Sequence, residues 1–413
     1  VVHWPEMIER TLQPHLLELA GRHPVITLTG PRQSGKTTLC RMAFPDHSYV
    51  SLENPAQREY AVGDPVGFLA GYPDGAIFDE VQRAPELPSF LQGMVDEDPR
   101  PGRFILTGSR NLALLDTVSQ SLAGRTAVLE LLPLGLDELR RFPEPPTGLF
   151  ETIWTGGYPR IHEHRLPAGE WLASYTTTYL ERDARDLLKI GDLLLFQTFL
   201  RLAAGRTGQL LNLSSLAADC GISQSTARAW LSVLEASYLA FRLPPFHTNL
   251  GKRLIKTPKL YFYDVGLVCN LLGITEPRQL DTHPLRGALF ESWAITEIAK
   301  YHHHRGRRPR LYFYRDRSQL EVDLLIEQGA DLVAVEMKSA QTASSSFFTP
   351  FDRLADRLGS GGAPLRLADR IVLYGGDETQ RRSAGHLLPW SRICDHPWTA
   401  STGRTEAPVE RDV

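Results

Sequence analysis

The chain has 413 residues and a formal net charge of −3, with 42% apolar and 23% charged side chains. That balance excludes a wholly basic nucleic-acid coat and an acidic disordered chain, so any basic surface must be local. The length suits about three domains with separate cores. The four cysteines, Cys40, Cys220, Cys269 and Cys394, form no C-x-x-C pair, which argues against a disulfide framework or a zinc site and suits a reducing cytoplasm. No apolar stretch approaches a bilayer span and the first residues lack the pattern of a signal peptide, so no membrane role is expected.

In chain order, Ile8, Leu12, Leu16 and Leu19 share one face and predict an amphipathic helix over Glu6 to Leu19 that packs on a core. The apolar run Val25 to Thr29 predicts a buried strand, and Thr37 to Ala43 a helix. Between them Gly30-Pro31-Arg32-Gln33-Ser34-Gly35-Lys36-Thr37, followed by Thr38, fits G-x-x-x-x-G-K-[ST]. Strand, glycine loop and helix in that order make a phosphate cradle: loop amides face an anion, Lys36 reaches the terminal phosphates, and the Thr37 hydroxyl ligates Mg²⁺. ATP and Mg²⁺ are the cofactors this implies.

A short strand at Tyr49 to Leu52 follows. A second, Ala76-Ile77-Phe78, delivers Asp79 and Glu80 to the carboxyl edge of a parallel sheet, Asp79 to hold the metal and Glu80 as general base. The strand lying between the two phosphate motifs suggests the additional-strand class of ATPases, which hydrolyse with a glutamate. A third strand, Phe104 to Thr107, ends at Ser109 and Asn111, which either sense the terminal phosphate or cap the next helix. Arg125, just before the strand Ala127 to Leu131, is the candidate for stabilising transition-state charge, on its own nucleotide or on a neighbour's in an oligomer, or else is an ordinary surface or sheet-end arginine.

Proline-rich Phe142 to Pro146 marks a boundary. Beyond it we expect a helical lid with a glycine turn at Thr155 to Pro159 and a helix over Trp171 to Leu188, whose charges Arg182 to Asp186 form a solvated face or an interdomain or intersubunit contact near the nucleotide. Leu213 to Glu235 reads helix, turn, helix, with Ser223 as N-cap. Strands at Tyr238 to Leu243 and Lys259 to Tyr263, joined through a basic loop, would complete a winged helix. That module would set Ser223, Gln224, Thr226 and Arg228 near a groove and Lys252, Arg253 and Lys256 on phosphate, or else serve a protein partner.

From residue 287 the pattern is helix, three strands, helix, strand. Alternation puts Glu321 and Asp323 on one strand face and Glu336 and Lys338 on one face of the next, across a turn at Gln328 to Asp331. With Glu291 from the preceding helix, Asp323, Glu336 and Lys338 form the set that metal-dependent phosphodiester cleavage uses. Their order resembles the PD-(D/E)xK nuclease superfamily. Tyr301 to Arg317 holds six arginines, one aspartate and three consecutive histidines, an excess that suits phosphate or a hydrated loop. A mobile tail is expected at the carboxyl end.

Gly30 to Gln33, Phe78 to Gln82, Leu106 to Ser109 and Leu122 to Arg125 together resemble the prokaryotic AAA-type ATPases fused to a C-terminal domain of unknown function. The likeness extends through Gly156 to Pro159, Tyr179 to Asp183, Lys259 to Asp264, Phe290-Glu291, Glu321 to Asp323 and Glu336 to Lys338. It implies an ATP-binding, ATP-hydrolysing protein. The expected architecture is α/β: a P-loop NTPase parallel sheet of ASCE/AAA type over 1–140, a helical lid over 141–190, a winged helix-turn-helix over 191–280, a restriction-endonuclease-like domain over 281–390 and a tail over 391–413. The C-terminal half is expected to contact DNA or RNA, as a binding switch or as a nuclease, or to act on a protein partner.

Overall fold

A computed structural model describes residues 7–109, 121–180, 193–246, 257–359 and 365–399. Asn111, the Arg182 to Asp186 cluster, the basic residues Lys252, Arg253 and Lys256, and residues 400–413 lie outside that set.

The chain forms two compact units: residues 1–242 with 259–308, and residues 243–258 with 309–413. The first unit opens with α1 (Gln13–Ala20), shorter than expected because Pro14, which has no amide hydrogen to donate, sits in the first helical turn. There follow β1 (Val25–Thr29), α2 (Lys36–Ala43), β2 (Ser48–Ser51), α3 (Pro55–Gly63), α4 (Pro65–Ala70), β3 (Ala76–Asp79), α5 (Leu87–Glu97), β4 (Phe104–Gly108) and β5 (Thr126–Glu130). The five strands lie parallel in the order β2-β3-β4-β1-β5. The strand that separates β1 from β3 is therefore β4; β2, which lies between the phosphate motifs in sequence, takes the edge.

Strand alternation sends side chains to two cores. Val25, Phe78, Phe104 and Leu106 pack under the face that carries Phe68, Leu87 and Leu91 of α4 and α5. Ile26, Leu28, Ile77 and Ile105 pack with Leu12 and Leu16 at α1 and Leu39 of α2. All β strands of a parallel sheet end on the same side, so the carboxyl ends of β1, β3 and β4 converge on one edge.

Short helices continue the first unit: α6 (Leu136–Leu139), α7 (Leu149–Thr155), α8 (Pro159–Glu163) and α9 (Ala168–Tyr175), which runs on as a π turn through Leu180. Then come α10 (Leu193–Ala204), α11 (Leu213–Cys220), α12 (Gln224–Ala236), the paired β6 (Ala240–Leu243) and β7 (Lys259–Phe262), α13 (Val265–Leu271) and α14 (Arg286–His303). Gly221, left-handed at φ 69°, ends α11, and Ser223 starts α12 by accepting the Thr226 amide at 3.1 Å. The two compact units divide near 309, inside the domain expected over 281–390. The reason is that α14 is docked within the first unit: Glu297 accepts the Leu136 amide at 2.7 Å and Lys300 donates to the Leu134 carbonyl at 3.0 Å.

The second unit is a mixed six-stranded sheet, β12-β13-β11-β10-β9-β8, built from β8 (Arg310–Arg315), β9 (Glu321–Gln328), β10 (Asp331–Lys338), β11 (Arg366–Tyr374), β12 (Gln380–Arg382) and β13 (Gly385–Pro389), with α15 (Thr349–Gly359) packed on it. The β9–β10 hairpin turns through Gly329, left-handed at φ 67°. The tail expected from 391 does not begin there. Trp398 is fully buried and donates its Nε1–H to the Ile393 carbonyl at 2.6 Å, so the chain stays packed up to that residue.

Candidate nucleotide site

The loop from Gly30 to Gly35 needs backbone that most residues resist. Gly30 lies at φ 148° and a Cβ there would meet the Leu131 carbonyl at 2.1 Å; Gly35 lies at φ 92°. Lys36 begins α2, and its buried ammonium donates to the carbonyls of Gly30 at 2.9 Å and Pro31 at 2.7 Å, inside the loop it closes. Burial lowers the Lys36 pKa, against the pull of Glu80 and Asp79. The Ser34 hydroxyl is buried without a hydrogen-bond partner among the described residues.

Asp79 ends β3 beside this loop. Its carboxylate accepts from the Thr37 hydroxyl at 3.0 Å, from the Tyr49 phenol at 2.7 Å and from the Thr107 hydroxyl. Glu80 follows in the left-handed region at φ 57°, a conformation that turns its side chain back across the strand ends. It accepts from the Ser109 hydroxyl at 2.7 Å and from the Gln82 amide. Burial opposes its charge, but Lys36 and Arg32 together with those hydrogen bonds outweigh it, so the Glu80 pKa falls below its ordinary value. Glu80 is thus an ionised carboxylate held nine-tenths buried at the strand ends.

These groups face a cavity of about 350 Å³ lined by Arg32, Gln33, Gly35, Lys36, Thr37 and Thr38 with Asp79 and Glu80. The sequence motifs do not account for its remaining wall, which comes from Glu53 and from Pro159, Arg160, Glu163 and His164 of the α8 segment. Two hydrogen bonds to the backbone of Gly157 fix that segment. The Leu134 amide donates to the Gly157 carbonyl at 2.7 Å, and the Gly157 amide donates to the Asp264 carboxylate at 2.7 Å. Side chains would not fit here: a Cβ on Gly157 would meet the Leu134 carbonyl at 2.4 Å, and one on Gly156 would meet Asp264 at 2.4 Å.

Arg125 is elsewhere. It precedes β5 at the amino edge of the sheet, beside Val25, and holds Asp96 through Nε at 2.5 Å and Nη2 at 2.8 Å. Five residues of β1 lie between that edge and the phosphate loop, a span of roughly 16 Å. The reading in which Arg125 serves its own chain's nucleotide does not fit this placement.

The expected histidine loop is not a loop. His302 and His303 end α14 and His304 caps it. His302 and His304 are buried, His304 stands 3.2 Å from Glu138, and His303 stands 3.2 Å from Glu130. Burial with nearby arginines lowers the His302 pKa to about 4. On α12 the exposed Ser223 and Thr226 hydroxyls bond each other at 2.8 Å in the cap.

In the second unit Asp323 and Glu336 of neighbouring strands meet Lys338. The lysine Nζ lies 2.5 Å from Glu336 and 3.6 Å from Asp323, and the Met337 amide donates to Asp323 at 2.8 Å. Burial and the Asp323 charge push the Glu336 pKa up to about 8, and its Oε1 is buried with no partner among the described residues. Glu291 belongs to the first unit, where it accepts from Lys259 at 2.9 Å and Tyr261 at 2.6 Å. Among the described residues no cluster of three or more His, Cys, Asp or Glu side chains could hold a metal ion, and no helix is long and apolar enough to cross a membrane.

Compared with known proteins, the chain is 32% identical to uncharacterized proteins of Mycobacterium bovis (Mb2031c) and Mycobacterium tuberculosis (Rv2008c) over 365 residues, covering 86% of this chain and 77% of each relative. It belongs to their family. Residues 22–140 match the family described as AAA domain, so the five-stranded parallel sheet and its glycine loop are those of an ATP-binding P-loop NTPase. Residues 147–278 and 286–393 match two domains of unknown function, DUF8612 and DUF4143. Among solved structures the chain is similar to a Walker-type ATPase of Pyrococcus abyssi, at 15% identity and a TM-score of 0.45 over 64% of this chain and 96% of that one. It is also similar to the RuvB Holliday junction branch migration motor of Thermotoga maritima, at 19% identity and a TM-score of 0.32 over 57% of this chain and 90% of that one.

Proposed function

We propose that this protein is a Mg²⁺-dependent ATP hydrolase of the cytoplasm whose nucleotide cycle acts on its C-terminal half. The observation that carries the reading is the convergence of Lys36, Thr37, Asp79 and Glu80 on one cavity. The loop amides and Lys36 hold the phosphates, Lys36 exchanging its two loop carbonyls for phosphate oxygens. Thr37 and Asp79 would hold the metal, since their oxygens already meet at 3.0 Å. Bound there, Mg²⁺ neutralises charge on the phosphates. Glu80 accepts the proton of the attacking water, and Ser109 and Gln82 hold its carboxylate in place. Arg160 supplies a cation on the far wall, with His164 beside it, and Arg125 would act only on a neighbouring subunit's nucleotide.

Phosphate release with and without Mg²⁺ tests this, with Glu80→Gln as the control. The variant should bind ATP and lose at least ~100-fold in rate, the scale of a missing general base. Equal rates in both would refute the role of Glu80.

For the C-terminal half we propose contact with nucleic acid, and a second reading in which the second unit cleaves it. Favouring that second reading is the unpartnered Glu336 oxygen beside Asp323 and Lys338, a vacant acceptor of the kind a divalent cation fills. Incubation with single- and double-stranded DNA and RNA plus Mg²⁺ or Mn²⁺ separates the cases. Cleavage lost in Lys338→Ala means nuclease; salt-sensitive binding alone means a switch; neither points to a protein partner.

A further inference from the structure

We propose that Arg10, which precedes the AAA domain, is a positioning residue that aims the Gly35 amide at the nucleotide's phosphates. This rests on the phosphate loop being the ATP site.

Arg10 is buried, and its guanidinium makes a three-way fork. Nη1 donates to the Ser34 carbonyl at 2.6 Å, Nη2 to the Leu132 carbonyl at 2.9 Å and Nε to Glu138 at 2.9 Å. The Ser34–Gly35 peptide is trans and planar, so its carbonyl and its N–H point in opposite directions. Drawing the Ser34 oxygen outward onto Arg10 turns the Gly35 N–H the other way. Gly35 lines the cavity, and Arg10 Nη1 lies behind it, 3.3 Å from where a Gly35 Cβ would stand. A cation on the carbonyl also polarises the peptide, making the N–H a stronger donor to an anion.

Glu138 holds the fork. Its fully buried carboxylate accepts from Arg10 and from the amides of Thr11 at 2.8 Å and Gly135 at 3.2 Å, with His304 at 3.2 Å. Burial opposes its charge, but Arg10 and His304 outweigh that and hold its pKa well below the carboxylate range. The pair is therefore charged, and Arg10 stays oriented by an acceptor outside the loop.

Two full-length variants separate aiming from bracing. Arg10→Lys keeps a cation beside Glu138, but one ammonium on a flexible stem cannot satisfy three acceptors in fork geometry. Glu138→Gln removes the ion pair yet keeps a carbonyl for Arg10 Nε and leaves the bond to Ser34. Both should melt earlier. In calorimetric titration with Mg-ATP, Arg10→Lys should bind about tenfold more weakly, the worth of one charge-assisted hydrogen bond, and Glu138→Gln within about twofold of the parent.

Parent-like affinity in Arg10→Lys, or equal losses in both variants, would overturn the proposal. If Glu138→Gln does not fold, Glu297→Gln takes its place, because it loosens the same segment at Leu136 without touching Arg10. A parent that binds no ATP, or a Lys36→Ala variant that still does, would instead sink the reading of the loop, and this proposal with it.

Discussion

Replacing Asp264 with alanine tests whether the α8 segment belongs to the nucleotide site. Asp264 is buried; one oxygen caps α13 by accepting the Leu267 amide at 2.9 Å, and the other accepts the Gly157 amide at 2.7 Å. Loss of the cap costs about 1 kcal/mol, and a buried amide left without its charged partner costs about 2 more. A total near 3 kcal/mol lowers Tm by roughly 6–12 °C in a unit of this size. The Gly157 bond also fixes the residues just before Pro159 and Arg160, so Mg-ATP affinity should fall about tenfold. Asp264→Asn keeps one acceptor and should show an intermediate shift in both. Thermal melts and ATP titrations on the same preparations check this. An unchanged Tm would refute the cap argument; a lowered Tm with parent affinity in the folded variant would remove α8 from the nucleotide site.

Arg125→Ala should leave the hydrolysis rate of dilute protein unchanged and lower the rate per chain only at concentrations where copies associate. A loss that is independent of concentration would contradict the placement of Arg125 at the amino edge of the sheet. For Glu336, a raised pKa means that folding takes up a proton between the ordinary carboxylate value and about 8, so stability falls as pH rises through that window. Chemical denaturation between pH 5 and pH 8 should show that slope, and Glu336→Gln should flatten it. A divalent cation needs the ionised form, so Mn²⁺ should bind about tenfold more weakly at pH 7 than at pH 9 in the parent, and without that dependence in the variant.

The nucleotide motifs were legible because each is local. A glycine loop between an apolar strand and a helix, and an acidic pair at the end of another strand, have their geometry set by a few adjacent residues. Tyr49, Thr107, Arg160 and Arg10 carry no such mark. Thr107 meets Asp79 because β3 and β4 are neighbours in register, with Phe78 opposite Leu106. Arg160 reaches the cavity because two glycines let Leu134 and Asp264 approach the backbone. His302 and His304 have the letters of a solvated loop yet are buried, since the docking of α14 decides and local polarity does not. For Arg125 a signal was present: a residue that precedes a parallel strand stands at the edge opposite the one where a phosphate loop leaves its strand.

The stretch from Leu134 to Glu138 carries more of the site than its sequence suggests. Leu134 bonds Gly157 ahead of α8 and accepts from Lys300; Leu136 bonds Glu297; Glu138 holds Arg10, which holds the phosphate loop. Three elements of the nucleotide cavity or its support thus share one anchor with α14. A loop that shifts when Lys36 leaves its carbonyls pulls on Ser34, and so on Arg10 and Glu138, whose charge is buried and cannot be left half-paired without a cost of several kcal/mol. The network closes on His304, buried beside Glu138 at the end of α14, so the same helix braces the support of the phosphate loop and the segment ahead of α8.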